Sequence, residues 1–222
     1  MPTALITGAS RGLGAAIARE LAPSHDLLLG ARSAGSLTDI LDELQGATPW
    51  PVELTDYDAL AAACAPIERL DVLVHNAGVA DLSTVAESAV DQWRHTLEAN
   101  VIAVAELTRL LLPALRAAGG HVVLINSGAG LRANAGWASY AASKFALRAF
   151  GDALRLEEPL LRVTSIHPGR IDTDMQRAIV AGEGDEYRPE KYLKPSTVAK
   201  AVRNAVETPG DAHPTEIVLR VR

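Results

Sequence analysis

Short apolar runs alternate along this chain with longer stretches whose apolar residues recur at helical spacing. Residues 4–7, 26–31, 51–54, 72–75, 121–127, 162–167 and 216–221 form the short runs and predict strands. Several of them, such as Leu27-Leu28-Leu29 and Val122-Val123-Leu124-Ile125, are apolar at consecutive positions, which fits parallel strands covered on both faces. Helical periodicity covers residues 12–21, 37–44, 57–64, 90–116, 138–156 and 197–206, the long middle stretch having room for two helices. Strand–helix–strand repetition predicts a doubly wound α/β fold: a mostly parallel seven-stranded sheet with helices on both faces. Gly119-Gly120 predicts the end of the long middle helix, and Pro195-Ser196 the start of the last one with Ser196 as its N-cap. Residues 175–193 break the rhythm; polar, with Gly182 and Gly184, they read as a mobile surface segment. No repeat, low-complexity tract or linker divides the chain, so residues 1–222 are read as a single domain.

Charge narrows the partners. The 27 acidic side chains outnumber the 21 Lys and Arg, giving a net charge of -6, and the basic residues are scattered singly. Nucleic acid or an anionic membrane as the main partner calls for a basic patch, so neither is expected. The most apolar stretch, residues 101–115, is interrupted by Glu106 and Arg109, so no membrane-spanning segment is expected. Cys64 is the only cysteine, which leaves no intrachain disulfide and fits a reducing compartment. With no basic and apolar leader at the start, the expectation is a cytoplasmic protein. The histidines show no ligand-type spacing, and no metal site is expected.

The chemistry-bearing signals begin where the first run ends. Thr7-Gly8-Ala9-Ser10-Arg11-Gly12-Leu13-Gly14 joins a strand to an Ala-rich helix. Glycines there let the backbone turn tightly and bring a pyrophosphate to the free N–H groups and positive end of the helix. The spacing is Gly-x3-Gly-x-Gly, and taken alone it fits a plain glycine turn equally well. Its place between the first strand and the first helix favours a Rossmann-type dinucleotide turn. Tyr140 and Lys144 stand at i and i+4 on a predicted helix, on one face. An ammonium beside a phenol lowers the phenol pKa from about 10 toward useful acid–base chemistry. Ser127, ending the preceding strand, can offer a hydroxyl to a carbonyl oxygen. Taken alone, the Tyr–Lys pair fits an ordinary solvated helix.

Together these segments resemble the short-chain dehydrogenase/reductase family. TGASRGLG at 7–14, HNAG at 75–78, Asn100, Ser127, YAASK at 140–144 and Pro168-Gly169 stand in that family's order, across residues 3–173. The resemblance implies an oxidoreductase that moves a hydride between a nicotinamide cofactor and a small carbonyl or alcohol substrate. It implies that Tyr140 exchanges the proton with the substrate oxygen and that Ser127 positions and polarises that oxygen. Lys144 would tune Tyr140 and hold the nicotinamide ribose, and Asn100 would support a water-mediated proton path to the lysine. The cofactor contacts it implies are Thr7, Gly8, Ser10, Arg11, Gly12, Leu13 and Gly14 in the turn, then Glu53, Leu54, Asn76, Ala77 and Gly78. Tyr140, Lys144, Pro168, Gly169 and Thr173 complete them, Thr173 fitting a helix N-cap as well.

Relatives that select NAD place an acid at the end of the second strand for the ribose 2′-hydroxyl. Here that end reads Ala31-Arg32-Ser33. Arg32, Ser33 and Arg11 can clamp a 2′-phosphate, so NADP is the expected cofactor; Arg11 alone also fits a solvent-exposed arginine. Glu53 stands where relatives carry a shorter acid that reaches the adenine, which leaves that contact open. Substrate choice is expected in residues 132–137, with Trp137 as an apolar wall, and in a lid at 174–193. Arg170 and Arg177 fit either an acidic substrate or solvent. Leu107, Leu110, Leu111, Leu115, Phe145, Leu147 and Phe150 read as core. The matching family helices often pair across a two-fold axis, so part of this set also fits a homodimer or homotetramer interface. Two other readings share the fold: a non-catalytic NADP-binding regulator or sensor, and an isomerase or dehydratase. Intact Ser127, Tyr140 and Lys144 weigh against the regulator.

Overall fold

The computed structural model describes all of residues 1–222. Strands β1 (Thr3–Ile6), β2 (Asp26–Ala31), β3 (Thr48–Pro51), β4 (Val72–His75), β5 (His121–Ile125), β6 (Arg162–Pro168) and β7 (Glu216–Leu219) form one sheet. Its order is β3-β2-β1-β4-β5-β6-β7, with every neighbouring pair parallel. Successive strand residues face opposite ways: Ala4, Ile6, Val72, Val74, Val123 and Ile125 to one side, Leu5, Leu73, Val122 and Leu124 to the other. Helices α1 (Gly12–Leu21), α2 (Thr38–Glu43) and α8 (Pro195–Val206) cover the first face. Helices α3 (Tyr57–Cys64), α5 (Ala103–Ala118) and α6 (Ala138–Glu157) cover the second. Burial on both faces is why the strands are apolar at consecutive positions, and the architecture is the expected Rossmann-type one.

The chain winds from β1 out to β3, returns to β4, and then winds outward the other way. Crossovers therefore leave β1 and β4 in opposite directions, and a crevice opens beyond their carboxyl ends. The middle stretch is two helices, α4 (Val90–Leu97) and α5, joined through a π-helical turn over Glu98–Ile102. Gly119, with φ 60, ends α5 in the left-handed conformation that glycine tolerates best. No helix is long and apolar enough to cross a membrane.

Several expectations need correcting. The third strand lies earlier than its apolar run suggests: it spans Thr48–Pro51 with Trp50 in the core, and Val52, buried with its N–H on Ala31 O (2.8 Å), stands just past its end. Ser196 is not the N-cap of α8. Lys194 is, and Pro195 occupies the first helical position, where its fixed φ suits the helix and its missing N–H leaves no bond unmade. Residues 175–193 are not simply an irregular surface segment: they hold most of a helix, α7 (Asp174–Glu183). Thr173 Oγ1 accepts the Gln176 N–H (3.3 Å) at its start, and Gly184 ends it at φ 74. Of the residues read as core, Leu107, Leu111, Leu115 and Leu147 are buried, Leu110 and Phe150 partly so, whereas Phe145 is 42% exposed.

Two histidines are built into the sheet. His75 Nε2 is hydrogen-bonded to Thr108 Oγ1 (2.9 Å) and His121 Nε2 to Thr164 Oγ1 (2.7 Å), and burial pushes each pKa down to about 3. In the unfolded chain both return toward 6.5. Between those values the unfolded chain holds more protons than the folded one, so stability is lost as pH falls through this window. Denaturant titrations should show the unfolding free energy falling below pH 6.5, by at most ~1.4 kcal/mol per pH unit for each histidine. His75→Asn should flatten that slope; an unchanged slope would contradict the assignment.

Candidate active site

A cleft of about 1680 Å³ lies beyond the carboxyl ends of the strands. Of the expected catalytic and cofactor residues, all but Asn100 line it. Its centre is a polar fastening between β1 and β4. The buried Thr7 hydroxyl donates to Val74 O (3.3 Å) and accepts the N–H groups of Asn76 (3.0 Å) and Ala77 (3.1 Å). Asn76 Nδ2 donates to Thr7 O (3.0 Å) and Gly8 O (3.1 Å). The glycine turn is equally constrained: Gly8 and Gly12 have φ 65 and 56, and a Cβ on Gly14 would sit 2.1 Å from Gly8 O. Arg11 precedes α1 without capping it, and no acid stands in its first turn. The first N–H groups of α1 are thus left for an anion at the cleft, and the cradle fits the pyrophosphate of a nicotinamide dinucleotide.

At the β2 end, Arg32 and Ser33 are exposed on the cleft wall, and the Arg32 side chain has no hydrogen-bond or ion-pair partner. Arg11 is paired loosely with Asp174 (3.4 Å), both well exposed. Glu53 Oε1 accepts from Thr55 Oγ1 (3.1 Å), so its carboxylate turns back on its own loop. Leu54 lines the same stretch, as does Asp39 on α2, a carboxylate that the sequence reading did not place there.

At the other end, Ser127 follows β5 and its Oγ accepts the Ala129 N–H (3.1 Å). Tyr140 and Lys144 come off one face of α6. Lys144 is buried, its Nζ donates to Ile125 O (3.0 Å), and burial lowers its pKa to about 8. Burial raises the Tyr140 pKa, and a hydrogen bond with Ser127 pulls the other way. The expectation that Lys144 lowers Tyr140 is therefore not met here. The Lys144 Nζ lies 5.8 Å from the Tyr140 ring centre, and the same burial that raises the phenol disfavours the ammonium. Nor does Asn100 reach the cleft. It sits buried in the π-helical turn, its Oδ1 accepting from Val79 N (2.9 Å) and its Nδ2 donating to Val79 O (2.9 Å) and Ser143 Oγ (3.0 Å). Gly78 lies between it and the lysine, since a Cβ there would be 2.9 Å from Asn100 Oδ1 and 3.9 Å from Lys144 Nζ.

Pro168 and Gly169 end β6 on the cleft wall, and Thr173 combines both expected positions. It caps α7, and its methyl would be 3.5 Å from a Cβ on Gly12. Trp137 meets the Tyr140 ring edge-to-face (5.9 Å), and the Arg170 guanidinium stacks at 5.4 Å from the Trp137 ring centre. Arg170 is paired with Glu183, and Arg177 with Asp172 (3.2 Å), so neither stands free for an acidic substrate. Besides Asp39, two further residues carry no motif in the sequence. His167, wholly buried, donates from Nδ1 to Ser127 O (3.2 Å) with Nε2 3.7 Å from Glu216. Arg220 reaches the cleft from beyond β7. The only sequence signal for either was proximity to a strand's carboxyl end.

Similarity to known proteins follows the same outline. The family profile described as short chain dehydrogenase matches residues 2–184. An uncharacterized short-chain type dehydrogenase/reductase of Sinorhizobium fredii is 34% identical over 216 residues, covering 93% of this chain and 86% of the relative. The trans-4-hydroxycyclohexanecarboxylate dehydrogenase of Sinomonas cyclohexanicum is 33% identical over 206 residues, covering 82% and 76%. Among solved structures, an alcohol dehydrogenase from the archaeon Thermococcus sibiricus, complexed with 5-hydroxy-NADP, superposes with a TM-score of 0.90 at 31% identity, covering 100% of this chain and 97% of that one. With a family match over residues 2–184 and relatives above 30% identity along most of its length, the chain belongs to the short-chain dehydrogenase/reductase family of oxidoreductases.

Proposed function

We propose that this protein is an NADP(H)-dependent carbonyl reductase or alcohol dehydrogenase in which Tyr140 is the general acid and base. The observation that carries the reading is the placement of Ser127, Tyr140 and buried Lys144 at one end of a cleft whose other end offers Arg32. The nicotinamide supplies or takes up the hydride. Tyr140 gives its proton to the carbonyl oxygen in reduction and removes it from the alcohol in oxidation. Ser127, which favours the ionised phenol, donates to the same oxygen and holds it in line. Lys144 holds the ribose hydroxyls from the cleft floor, while Asn100 keeps the Val79 backbone and Ser143 in place behind Gly78. Thr7, Gly8, Ser10, Gly12, Leu13, Gly14, Asn76, Ala77 and Gly78 cradle the dinucleotide, with Pro168, Gly169 and Thr173 at the nicotinamide. Arg32 and Ser33, helped by Arg11, take the 2′-phosphate.

A guanidinium with no carboxylate on it is free to form the bidentate contacts that a 2′-phosphate offers. An alcohol dehydrogenase of 31% identity bound to an NADP derivative supports the same choice. Phe145 on α6 and Ile102 at the start of α5 are exposed (42% and 48%), and we read this face as the contact of a homodimer.

Tyr140→Phe should lower kcat by roughly 10²–10⁴-fold, the usual worth of a positioned acid–base group, while NADPH still binds. A kcat near that of the unmodified protein would remove Tyr140 from the mechanism. Arg32→Ala should raise the KM for NADPH about tenfold or more, the loss of one charge-assisted contact, and leave the KM for NADH nearly unmoved. Equal effects on both cofactors would overturn the assignment. Light scattering at micromolar concentration should give twice the chain mass, and Phe145→Glu should halve it; a monomer before substitution would reject the dimer.

A further inference from the structure

Most arginines here stand within ion-pair distance of a carboxylate. Arg162 does not, but its guanidinium donates to Val206 O and Thr208 O at the end of α8. Among the arginines left without an acidic partner, Arg32, Arg132 and Arg220 all line the one large cleft. Arg32 lies at the β2 end. The other two are built around Gly128, the residue after Ser127. The Arg132 backbone N–H donates to Gly128 O (3.1 Å), and its side chain has no hydrogen-bond partner. The Arg220 guanidinium lies flat over Gly128, with Nη1, Cζ and Nη2 at 3.4, 3.6 and 3.6 Å from the point where a Cβ would stand. A side chain larger than alanine at 128 would push it away. Its Nη1 is fixed by His167 O (3.2 Å) and Leu219 O (3.1 Å), while Nη2 and Nε have no protein acceptor.

The carboxylates of the cleft wall do not neutralise this corner. Asp174 faces Arg11, Glu183 faces Arg170, Asp81 lies near His95 (3.8 Å), Glu53 turns to Thr55, and Asp39 stands on α2 at the β2 end. Two guanidinium groups without an ion-pair partner thus line the cleft from residues held against Gly128, and one of them is fixed by backbone carbonyls over the residue next to the serine that would hold the reacting oxygen. We infer that the substrate carries an anionic group, carboxylate or phosphate, besides its carbonyl or alcohol, and that Arg220 with Arg132 binds it. The inference rests on the carbonyl–alcohol reading above. A forked guanidinium matches either anion in a bidentate way, and a site that fixes one end of the substrate orients the other toward Ser127 and Tyr140. A relative named for a hydroxycyclohexanecarboxylate is in keeping with this chemistry.

Matched pairs test it in the full-length protein with NADPH: 4-oxocyclohexanecarboxylate against its methyl ester, and dihydroxyacetone phosphate against dihydroxyacetone. The anion in at least one pair should exceed its neutral partner in kcat/KM by roughly tenfold or more, the worth of one charge-assisted hydrogen bond. Its KM should rise with ionic strength, and the pair with the larger ratio identifies the anion. Arg220→Gln and Arg132→Gln should each lower the anion-to-neutral ratio, and Arg220→Lys should restore part of it; the Arg132 side chain bonds nothing, so its variant guards against a folding defect. Ratios near one in both pairs, or ratios that survive both Gln substitutions, overturn the inference. Binding of the two anions to the Tyr140→Phe–NADPH complex, followed by tryptophan fluorescence, separates the two levels of argument. If no carbonyl is turned over yet an anion binds in an Arg220-dependent way, the reductase reading fails and the anion site stands. No Arg220-dependent binding and no turnover defeat both.

Discussion

Thr7 and Asn76 fasten the ends of the two central strands to each other, and the geometry of the cleft follows from that fastening. Where parallel strands end, backbone groups lose their ladder partners, and each one buried without a substitute would cost ~1–3 kcal/mol. The Thr7 hydroxyl takes two of these N–H groups, and the Asn76 amide returns two bonds to the carbonyls of Thr7 and Gly8. The point where β1 gives way to the glycine turn is fixed relative to the point where β4 gives way to Gly78. That one relation sets the start of α1 on one wall of the crevice and the Lys144 floor on the other. Gly14 belongs to the same constraint, since its lack of a side chain lets α1 begin against Gly8 O and the Asn76 amide.

The electrostatics of the catalytic end depend on burial more than on the pairing of charges. Lys144 sits beneath Gly78 with one carbonyl as partner, and the loss of water brings its pKa to about 8. The same dry surroundings raise Tyr140, so the two pKa values move in opposite directions: the phenol is harder to ionise and the ammonium easier to discharge. Ser127 is the group that favours the phenolate. Its own position depends on layers beneath it: its carbonyl receives the His167 N–H, and His167 in turn faces Glu216 on the edge strand. A position at the sheet's edge is in this way joined to Ser127 at the cleft.

The strands and most helices were legible because each strand is buried on both sides, and unbroken runs such as Leu27-Leu28-Leu29 leave few alternatives. The third strand was misplaced because β3 carries two prolines and a tryptophan, and the apolar residues Val52 and Leu54 lie just past its end. Helix α7 was missed for a related reason. It buries only Gln176 and Val180, so its apolar periodicity is faint, although Thr173 and Gly184 mark its ends plainly. The residues expected to form a cofactor cradle line the cleft together because turn, helix start and strand ends are local in sequence. The orientation of Asn100 and the sign of the Tyr140 shift were not legible, because both are decided by packing across separate helices. Arg220 and His167 were invisible for a topological reason: only the pairing of β7 with β6 brings residue 220 over Gly128.

Helix α7 also explains how the two ends of the cleft can communicate. Its first turn lies by the glycine turn, through the Thr173 methyl near Gly12 and the loose Asp174–Arg11 pair. Its last turn carries Glu183, which pairs with Arg170, and Arg170 stacks on the Trp137 ring that in turn meets Tyr140. Exposed ion pairs of this kind contribute only ~0–1 kcal/mol each, and the helix buries little else, so α7 yields before the sheet does. A cofactor that draws Arg11 to its own phosphate competes directly with Asp174 for that guanidinium. Loss of that pair frees the start of the helix while Arg170 still holds its end against Trp137. Trp137 is thereby tied, through one weakly held helix, to the glycine turn at the other end of the cleft.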